Sequence, residues 1–184
     1  MFLGEENVRI NFNSIAKVLV LSTAAVLILL APSLGYSQEF VSIQSTNYPG
    51  KYIRHSNSLG ILDTIKETDA LAKKDSSFKM IPGLAGGDTV SFESVNFPGF
   101  YLRHSNSRLM ISKKTNDRLF KEDASFREVP AINGKDGVSY NSVNYPAYYI
   151  RHRNNEIWCE ESDGSALFKN DASWFRMEAW TTKK

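Results

Sequence analysis

The residues best suited to do chemistry in this sequence are its three histidines. Each one closes a short motif of the form Asn-aromatic-Pro, and an aspartate in a second motif follows 19 or 20 residues later. The recurring pairs are His55 with Asp75, His104 with Asp123, and His152 with Asp171. A neutral imidazole offers one donor and one acceptor, and a carboxylate offers acceptors only. Such a pair could hold two adjacent hydroxyl groups of one ligand.

Aromatic residues accompany each histidine and could form an apolar wall for the C–H groups of a sugar ring. They are Tyr48, Phe97, Phe100, Tyr145 and Tyr148. Apolar walls with a few placed polar groups are typical of small-ligand sites. The pattern therefore predicts a candidate sugar-binding hollow in each repeat.

The same residues also fit a purely structural role. The Pro motif is typical of a tight turn, and the aspartate motif could be an Asx-turn in which the carboxylate accepts from backbone N–H groups. The repeated rings of Tyr52, Tyr101 and Tyr149, and of Phe78, Phe126 and Phe175, are predicted to be core. The residues alone leave a satisfied His–Asp hydrogen bond and a ligand pocket equally open.

The motifs recur every 48 or 49 residues, which indicates three repeats at about 40–83, 89–131 and 138–180. Alternating apolar and polar residues predict about four strands in each repeat, and no segment shows a sustained helical period. One such unit cannot bury its apolar face alone, and a propeller needs at least four blades. We therefore predict an all-β fold, a β-trefoil of three four-stranded repeats. The alternative is a sandwich whose repetition is accidental.

Residues 1–37 are interpreted as a leader that precedes one domain at 38–184. Residues 18–31 form an apolar run with basic residues before it, which is typical of a signal peptide and shorter than the roughly 20 residues of a membrane span. The alternative is an uncleaved N-terminal anchor helix. Both interpretations predict a secreted or extracytoplasmic domain.

Charge and cysteine content exclude several classes of function. A net charge of +2 is too weak to favour nucleic acid or a membrane surface as a partner, apart from the N-terminal anchor. The single cysteine, Cys159, cannot form an intramolecular disulfide, and it aligns with Ile111, so we expect a small buried side chain. No metal-ligand spacing or phosphate loop is visible. We expect a monomer without metal or cofactor.

The repeated pattern Asn-Tyr-Pro-Gly-x-Tyr-Ile-Arg-His, followed by Leu-Phe-Lys-x-Asp-Ala-Ser-Phe, closely resembles the arabinose-binding module attached to α-L-arabinofuranosidase B. The resemblance covers residues 40–180. It implies a β-trefoil whose lobes can each hold a terminal L-arabinofuranose, with His and Asp on the hydroxyls and an aromatic ring beside the sugar. Repeat 1 departs from the pattern at Lys51, at Ala72 and by an extra residue near Gly60. Its pocket is therefore expected to be weak or empty, whereas repeats 2 and 3 keep the full set.

The resemblance favours a non-catalytic module for arabinose-substituted polysaccharides such as arabinoxylan or arabinan. Alanine at His104 or Asp171 is then expected to weaken polymer binding without unfolding the domain. The alternatives are an α-L-arabinofuranosidase and a protein-interaction trefoil. Glycoside hydrolysis uses two carboxyl groups about 5–10 Å apart. The repeated aspartates are expected in separate lobes, and Glu160, Glu161 and Asp163 are interpreted as a solvated turn, so no catalytic residue is predicted.

Overall fold

The computed structural model describes residues 38–182, which contain twelve strands and three short helices. The strands are β1 Glu39–Ser45, β2 Lys51–Ser56, β3 Leu59–Thr64, β4 Phe78–Pro82, β5 Val90–Ser94, β6 Phe100–Ser105, β7 Arg108–Lys113, β8 Phe126–Pro130, β9 Val138–Ser142, β10 Tyr148–Arg153, β11 Glu156–Glu161 and β12 Trp174–Glu178. The helices are α1 Ala70–Asp75, α2 Arg118–Asp123 and α3 Ala166–Asp171. The predicted all-β fold is confirmed. The N-terminal signal or anchor helix falls outside the described residues.

Six of the strands close into a ring of antiparallel pairs, in the order β1, β4, β5, β8, β9, β12 and back to β1. Closure leaves none of these strands with a free edge. The other six strands form three hairpins, β2–β3, β6–β7 and β10–β11. The second strands of these hairpins, β3, β7 and β11, also pair with one another. A closed barrel with three mutually paired hairpins is a trefoil-like arrangement.

The barrel encloses a core of aromatic rings. Phe92 is fully buried, and its ring centroid lies 6.5 Å from that of Phe78, 6.4 Å from that of Phe126 and 5.1 Å from that of Tyr140. These four residues come from β4, β5, β8 and β9, so neighbouring strands of the ring contribute to one shared interior. Ring pairs at these spacings add to the hydrophobic stabilisation from burial.

Two predicted core residues, Phe175 and Tyr149, are only half-buried. In repeat 3 the residue that matches the buried Phe78 and Phe126 is Trp174. It is fully buried and donates its indole N–H to the carbonyl oxygen of Ile150 at 3.0 Å. Trp174 opens β12 as Phe78 opens β4 and therefore faces inward. Because successive side chains of a strand point to opposite faces, its neighbour Phe175 turns away from the core.

The helices were not predicted from the sequence. Each has six residues and is too short to show a helical period, and each starts after an N-cap, Asp69, Asp117 or Ser165, whose side chain accepts from a backbone N–H. Each helix ends at a repeated aspartate. Within the described residues, no helix is long and apolar enough to cross a membrane.

The extra residue of repeat 1 does not lie near Gly60. Every hairpin turn has two residues with positive φ, such as Asn57 and Ser58, as a type I′ turn requires. The insertion falls instead between β3 and α1, where residues 65–69 replace four-residue connections in the other repeats. Gly60 lies where the hairpins meet, and a Cβ there would come within 3.1 Å of the Leu109 carbonyl oxygen.

Gly137, between β8 and β9, provides a test of the barrel's close backbone contacts. Its φ is +118°, and an added Cβ would lie 2.5 Å from the carbonyl oxygen of Trp174. We expect Gly137→Ala to destabilise the fold by roughly 2–4 kcal/mol, because strain and a backbone clash act together. The matched control is Gly134→Ala, where φ is +74° and no atom lies within 4 Å; we expect a loss of about 1 kcal/mol there. Urea unfolding of both variants measures the difference, and equal losses would contradict the close approach at Gly137.

Candidate functional site

The structure brings each histidine next to the aspartate of its own repeat. The histidine is the fifth residue of the second strand, and the aspartate ends the helix. The Nε2 to Oδ1 distances are 3.5 Å for His55 and Asp75, 3.6 Å for His104 and Asp123, and 3.6 Å for His152 and Asp171. All six side chains are buried, with 3–6% of each residue exposed. The three pairs therefore form three sites of the same design.

An asparagine of the following Pro motif joins each pair, and the sequence analysis did not single it out. In the His104 site, Asn144 donates its amide N–H to Asp123 Oδ1 at 2.8 Å, and its Oδ1 lies 3.0 Å from His104 Nε2. Asn96 in the His55 site and Asn47 in the His152 site make the same contacts. Each asparagine thereby holds imidazole and carboxylate at a fixed separation.

This network determines where the histidine carries its proton. Because the Asn144 amide donates to Asp123, its oxygen faces His104, and Ser142 Oγ also donates to that oxygen at 2.9 Å. An amide oxygen accepts only, so Nε2 of His104 must be protonated. Burial lowers the pKa of His104 and outweighs the opposing effect of the Asp123 charge. At neutral pH the ring is uncharged, with Nδ1 as its acceptor.

An arginine of the same strand binds each aspartate from the other side. Arg103 donates to Asp123 Oδ2 at 2.7 Å, and its guanidinium carbon lies 5.3 Å from the ring centroid of Phe120. Arg151 binds Asp171 at 2.8 Å in the same way. The carboxylates thus accept from side chains in the described hydrogen bonds, rather than from their own turn as an Asx-turn would require. The direct His–Asp hydrogen bond that the sequence left open is not formed, because Nε2 and Oδ1 lie 3.5–3.6 Å apart and the asparagine connects them.

Two of the three pairs also line open cavities. His104 and Asp123 lie on the wall of a cavity of about 370 Å³, together with Tyr145, Tyr148 and Leu119. His55 and Asp75 line a second cavity of about 500 Å³. A cavity of this size suits a single small ligand. A structural network and a ligand pocket are therefore compatible, because the histidine and aspartate that are hydrogen-bonded through the asparagine also line a cavity.

The aromatic rings come from the next repeat, which corrects the sequence-based assignment. Phe97 and Phe100 line the His55 cavity, although they precede His104 in the chain. By the same shift, Tyr145 and Tyr148 serve His104, and the Tyr48 ring lies 5.2 Å from that of His152. A backbone hydrogen bond explains the shift. The N–H before each Pro motif donates to the carbonyl two residues after the preceding aspartate, as in Val95 to Ser77, Val143 to Ser125 and Thr46 to Ser173.

Comparison with known proteins gives this arrangement a family. The model of the alpha-L-arabinofuranosidase B (ABFB) domain matches residues 30–80 and 41–176. The chain belongs to the ABFB domain family. A search of curated proteins found no match.

Solved structures agree with the family. A mutant GH54 α-L-arabinofuranosidase soaked with 4-nitrophenyl α-L-arabinofuranoside is 31% identical, with a TM-score of 0.72 over 80% of this chain and 33% of that one. An arabinofuranosidase complexed with arabinofuranosyl-α-1,2-xylobiose is 31% identical, with a TM-score of 0.72 over 79% of this chain and 32% of that one. The chain spans about one third of those proteins. The Polyporus squamosus lectin shares the fold at 12% identity, with a TM-score of 0.60 over 78% of this chain and 50% of the lectin.

The shift also corrects which site of this ABFB domain is atypical. The expectation of a weak first pocket assumed that Lys51 stood beside His55. Lys51 instead lies beside Tyr48 in the His152 site, and the His55 site has both Phe97 and Phe100. Repeat 1 instead differs at Ala72, which replaces the phenylalanine of the other two repeats. Trp180 packs against the cluster of Ala72 and Tyr52 there, and its ring centroid lies 5.5 Å from that of Tyr52.

Other residues of the ABFB domain sites were missed or assigned wrongly. Leu119 lines the His104 cavity and is 59% exposed; an apolar residue repeated at one exposed helical position was the available signal. Cys159 is buried as expected, and burial raises the pKa of its thiol to about 12, so it stays protonated. Glu160 lies in β11 rather than in a turn and pairs with Arg153 at 2.7 Å.

Acidification should destabilise the ABFB domain through its three histidines. Burial lowers the pKa of each below the ordinary value of 6.5. Below about pH 6.5 the unfolded chain therefore binds more protons than the folded chain. The free energy of unfolding then falls by up to about 1.4 kcal/mol per pH unit for each histidine. Urea unfolding between pH 7.5 and 5 should show this slope, and His104→Gln should reduce it by about one third. An unchanged slope in that variant would contradict a buried neutral His104.

Proposed function

We propose that this ABFB domain is a secreted, non-catalytic carbohydrate-binding module for the L-arabinofuranose side chains of hemicellulose, such as arabinoxylan or arabinan. The observation that carries the proposal is the His104 hollow, in which a neutral imidazole and a carboxylate stand below two tyrosine rings. The relatives solved with arabinofuranosides support arabinose as the ligand. Secretion rests on the apolar run at residues 18–31.

The geometry gives each group a role. Nδ1 of His104 and the Asp123 carboxylate are both acceptors, so each can accept a hydrogen bond from a sugar hydroxyl. Asn144 and Arg103 hold these acceptors in place before the ligand arrives, which reduces the ordering cost of binding. Tyr145 is half-exposed at the rim and can cover the apolar face of the sugar.

A single shallow hollow binds weakly. A dissociation constant near 1 mM corresponds to only about −4 kcal/mol. A branched polysaccharide can contact more than one of the three sites at once, and linked binding raises the overall affinity by orders of magnitude. Repetition of the site within one chain therefore suits a substituted polymer better than a free sugar.

We propose a non-catalytic module because the His104 cavity is lined by one carboxylate, Asp123. Hydrolysis of a glycoside ordinarily needs two carboxyl groups about 5–10 Å apart across the scissile bond. Asp123 is also occupied by Arg103 and Asn144, whose contacts suit a fixed acceptor.

Calorimetric titration tests the function directly. The protein is titrated with arabinoxylan and with L-arabinose, and unsubstituted xylan is the matched control that lacks the side chains. We expect heat with arabinoxylan, weak saturation with L-arabinose and no response to xylan. Equal binding to both polymers would contradict recognition of the side chain, and release of arabinose during the titration would contradict a non-catalytic module.

A further inference from the structure

The His152 site differs from the other two sites at one position of its wall. Where they have a second aromatic ring, Phe100 or Tyr148, this site has Lys51. The second ring lies 6.0 Å from the first in the His55 site and 5.3 Å in the His104 site. The Lys51 ammonium lies 5.5 Å from the ring centroid of Tyr48. In the His152 site the Lys51 ammonium therefore replaces the second aromatic ring of the other two sites.

Lys51 forms no ion pair with another side chain in the described part of the chain. Its Nζ donates to Asn155 Oδ1 at 2.9 Å, which is a neutral amide acceptor. None of the ion pairs found in residues 38–182 includes Lys51. An ammonium has three donors, so two remain for a ligand. An uncompensated cation at the rim of a site attracts an anionic group.

The His152 site has the same polar groups as the other two sites. His152 Nε2 lies 2.8 Å from Asn47 Oδ1, and Asn47 donates to Asp171 Oδ1 at 2.9 Å. Arg151 binds the far side of Asp171 at 2.8 Å. Burial lowers the pKa of His152 and, together with the Arg151 and Lys51 charges, outweighs the opposing effect of the Asp171 charge. These polar groups can therefore still bind sugar hydroxyls, while Lys51 adds a positive charge beside Tyr48.

We propose that the His152 site binds an acidic sugar, a uronate whose carboxylate meets Lys51 while its hydroxyls meet His152 and Asp171. This rests on the proposed function, because it assumes that the His–Asp pairs bind sugars. Tyr48 remains available for the face of the sugar, at 50% exposure. The chain would then recognise neutral pentose side chains at the His55 and His104 sites and acidic side chains at the third.

The test uses the full chain and a matched pair of probes, methyl glucuronoside as its sodium salt and the methyl ester of the same sugar. We expect the salt to bind about five- to tenfold more tightly than the ester, as one ion pair at a partly exposed site provides. Lys51→Met should remove the preference, and Lys51→Arg should retain it. Raising the salt to about 1 M, where the Debye length is about 3 Å, should weaken binding of the acid only.

Several results would overturn the inference. Equal binding of acid and ester would do so, as would a preference that survives in Lys51→Met. Sodium sulfate binding as tightly as the uronate would show a simple anion site. Tighter L-arabinose binding by Lys51→Met without any uronate response would show that Lys51 only closes the hollow. Arabinoxylan binding, measured on the same protein, separates the two proposals: if it persists, only the uronate assignment fails, and if it is also absent, the proposed function fails.

Discussion

Phe92→Ala is expected to cost about 3–5 kcal/mol of folding free energy, the usual range for removing a fully buried phenylalanine. Phe92 has no exposed surface and contacts the rings of Phe78, Phe126 and Tyr140. The variant loses the hydrophobic stabilisation of one ring and leaves a cavity that the closed barrel cannot collapse to fill.

Chemical denaturation measures this loss, and Phe97→Ala is the matched control. Both variants remove the same atoms, but Phe97 is 48% exposed at the rim of the His55 cavity. We expect Phe97→Ala to cost less than about 1 kcal/mol and to weaken sugar binding instead. Similar stability losses in the two variants would contradict a core that is shared by the barrel strands and centred on Phe92.

Asp123→Ala is expected to weaken polymer binding and to destabilise the fold by about 2–3 kcal/mol. The carboxylate is 4% exposed and accepts from Arg103 and Asn144. Its removal leaves a guanidinium and an amide without their acceptor, although Arg103 is 21% exposed and can still reach water. The same reasoning applies to Asp171, so alanine there should lower stability as well as weaken polymer binding, while the domain still folds.

Urea unfolding and titration with arabinoxylan separate the two effects. We expect polymer affinity to fall about tenfold rather than vanish, because the His55 site remains for the arabinose side chains. The control is Asp136→Ala, an exposed aspartate outside the cavity, which should change neither quantity. Full stability in Asp123→Ala would contradict the buried network, and full affinity would show that this cavity is not used.

Much of the fold could be predicted because the repeat makes the same pattern visible three times. The alternation at Val90-Ser91-Phe92 predicts a half-buried strand. The structure has the strand and places Val90 and Phe92 in the core, but Ser91 is also buried and donates to the carbonyl oxygen of Ala124 at 2.6 Å. The common period of the two motifs predicted that His104 and Asp123 would be neighbours, which their 3.6 Å separation bears out. Local alternation and internal repetition were therefore sufficient to predict the twelve strands and the His–Asp proximity.

The rest depended on contacts between repeats, which no local pattern records. Tyr145 reaches His104 because the N–H of Val143 is tied to the carbonyl of Ser125. Sequence proximity suggested instead that each aromatic ring serves the histidine of its own motif. Phe175 was misassigned for a related reason, since two adjacent aromatic residues leave the register of the strand undecided until Trp174 is aligned with its counterparts in β4 and β8.

The most direct measurement is a crystal structure of the protein soaked with an arabinofuranosyl oligosaccharide. The predicted result is a terminal arabinofuranose in the His104 cavity, with hydroxyls on His104 and Asp123 and its apolar face on the tyrosines of the following repeat. A sugar bound elsewhere on the surface, with the His55 and His104 cavities empty at saturating ligand, would contradict the account.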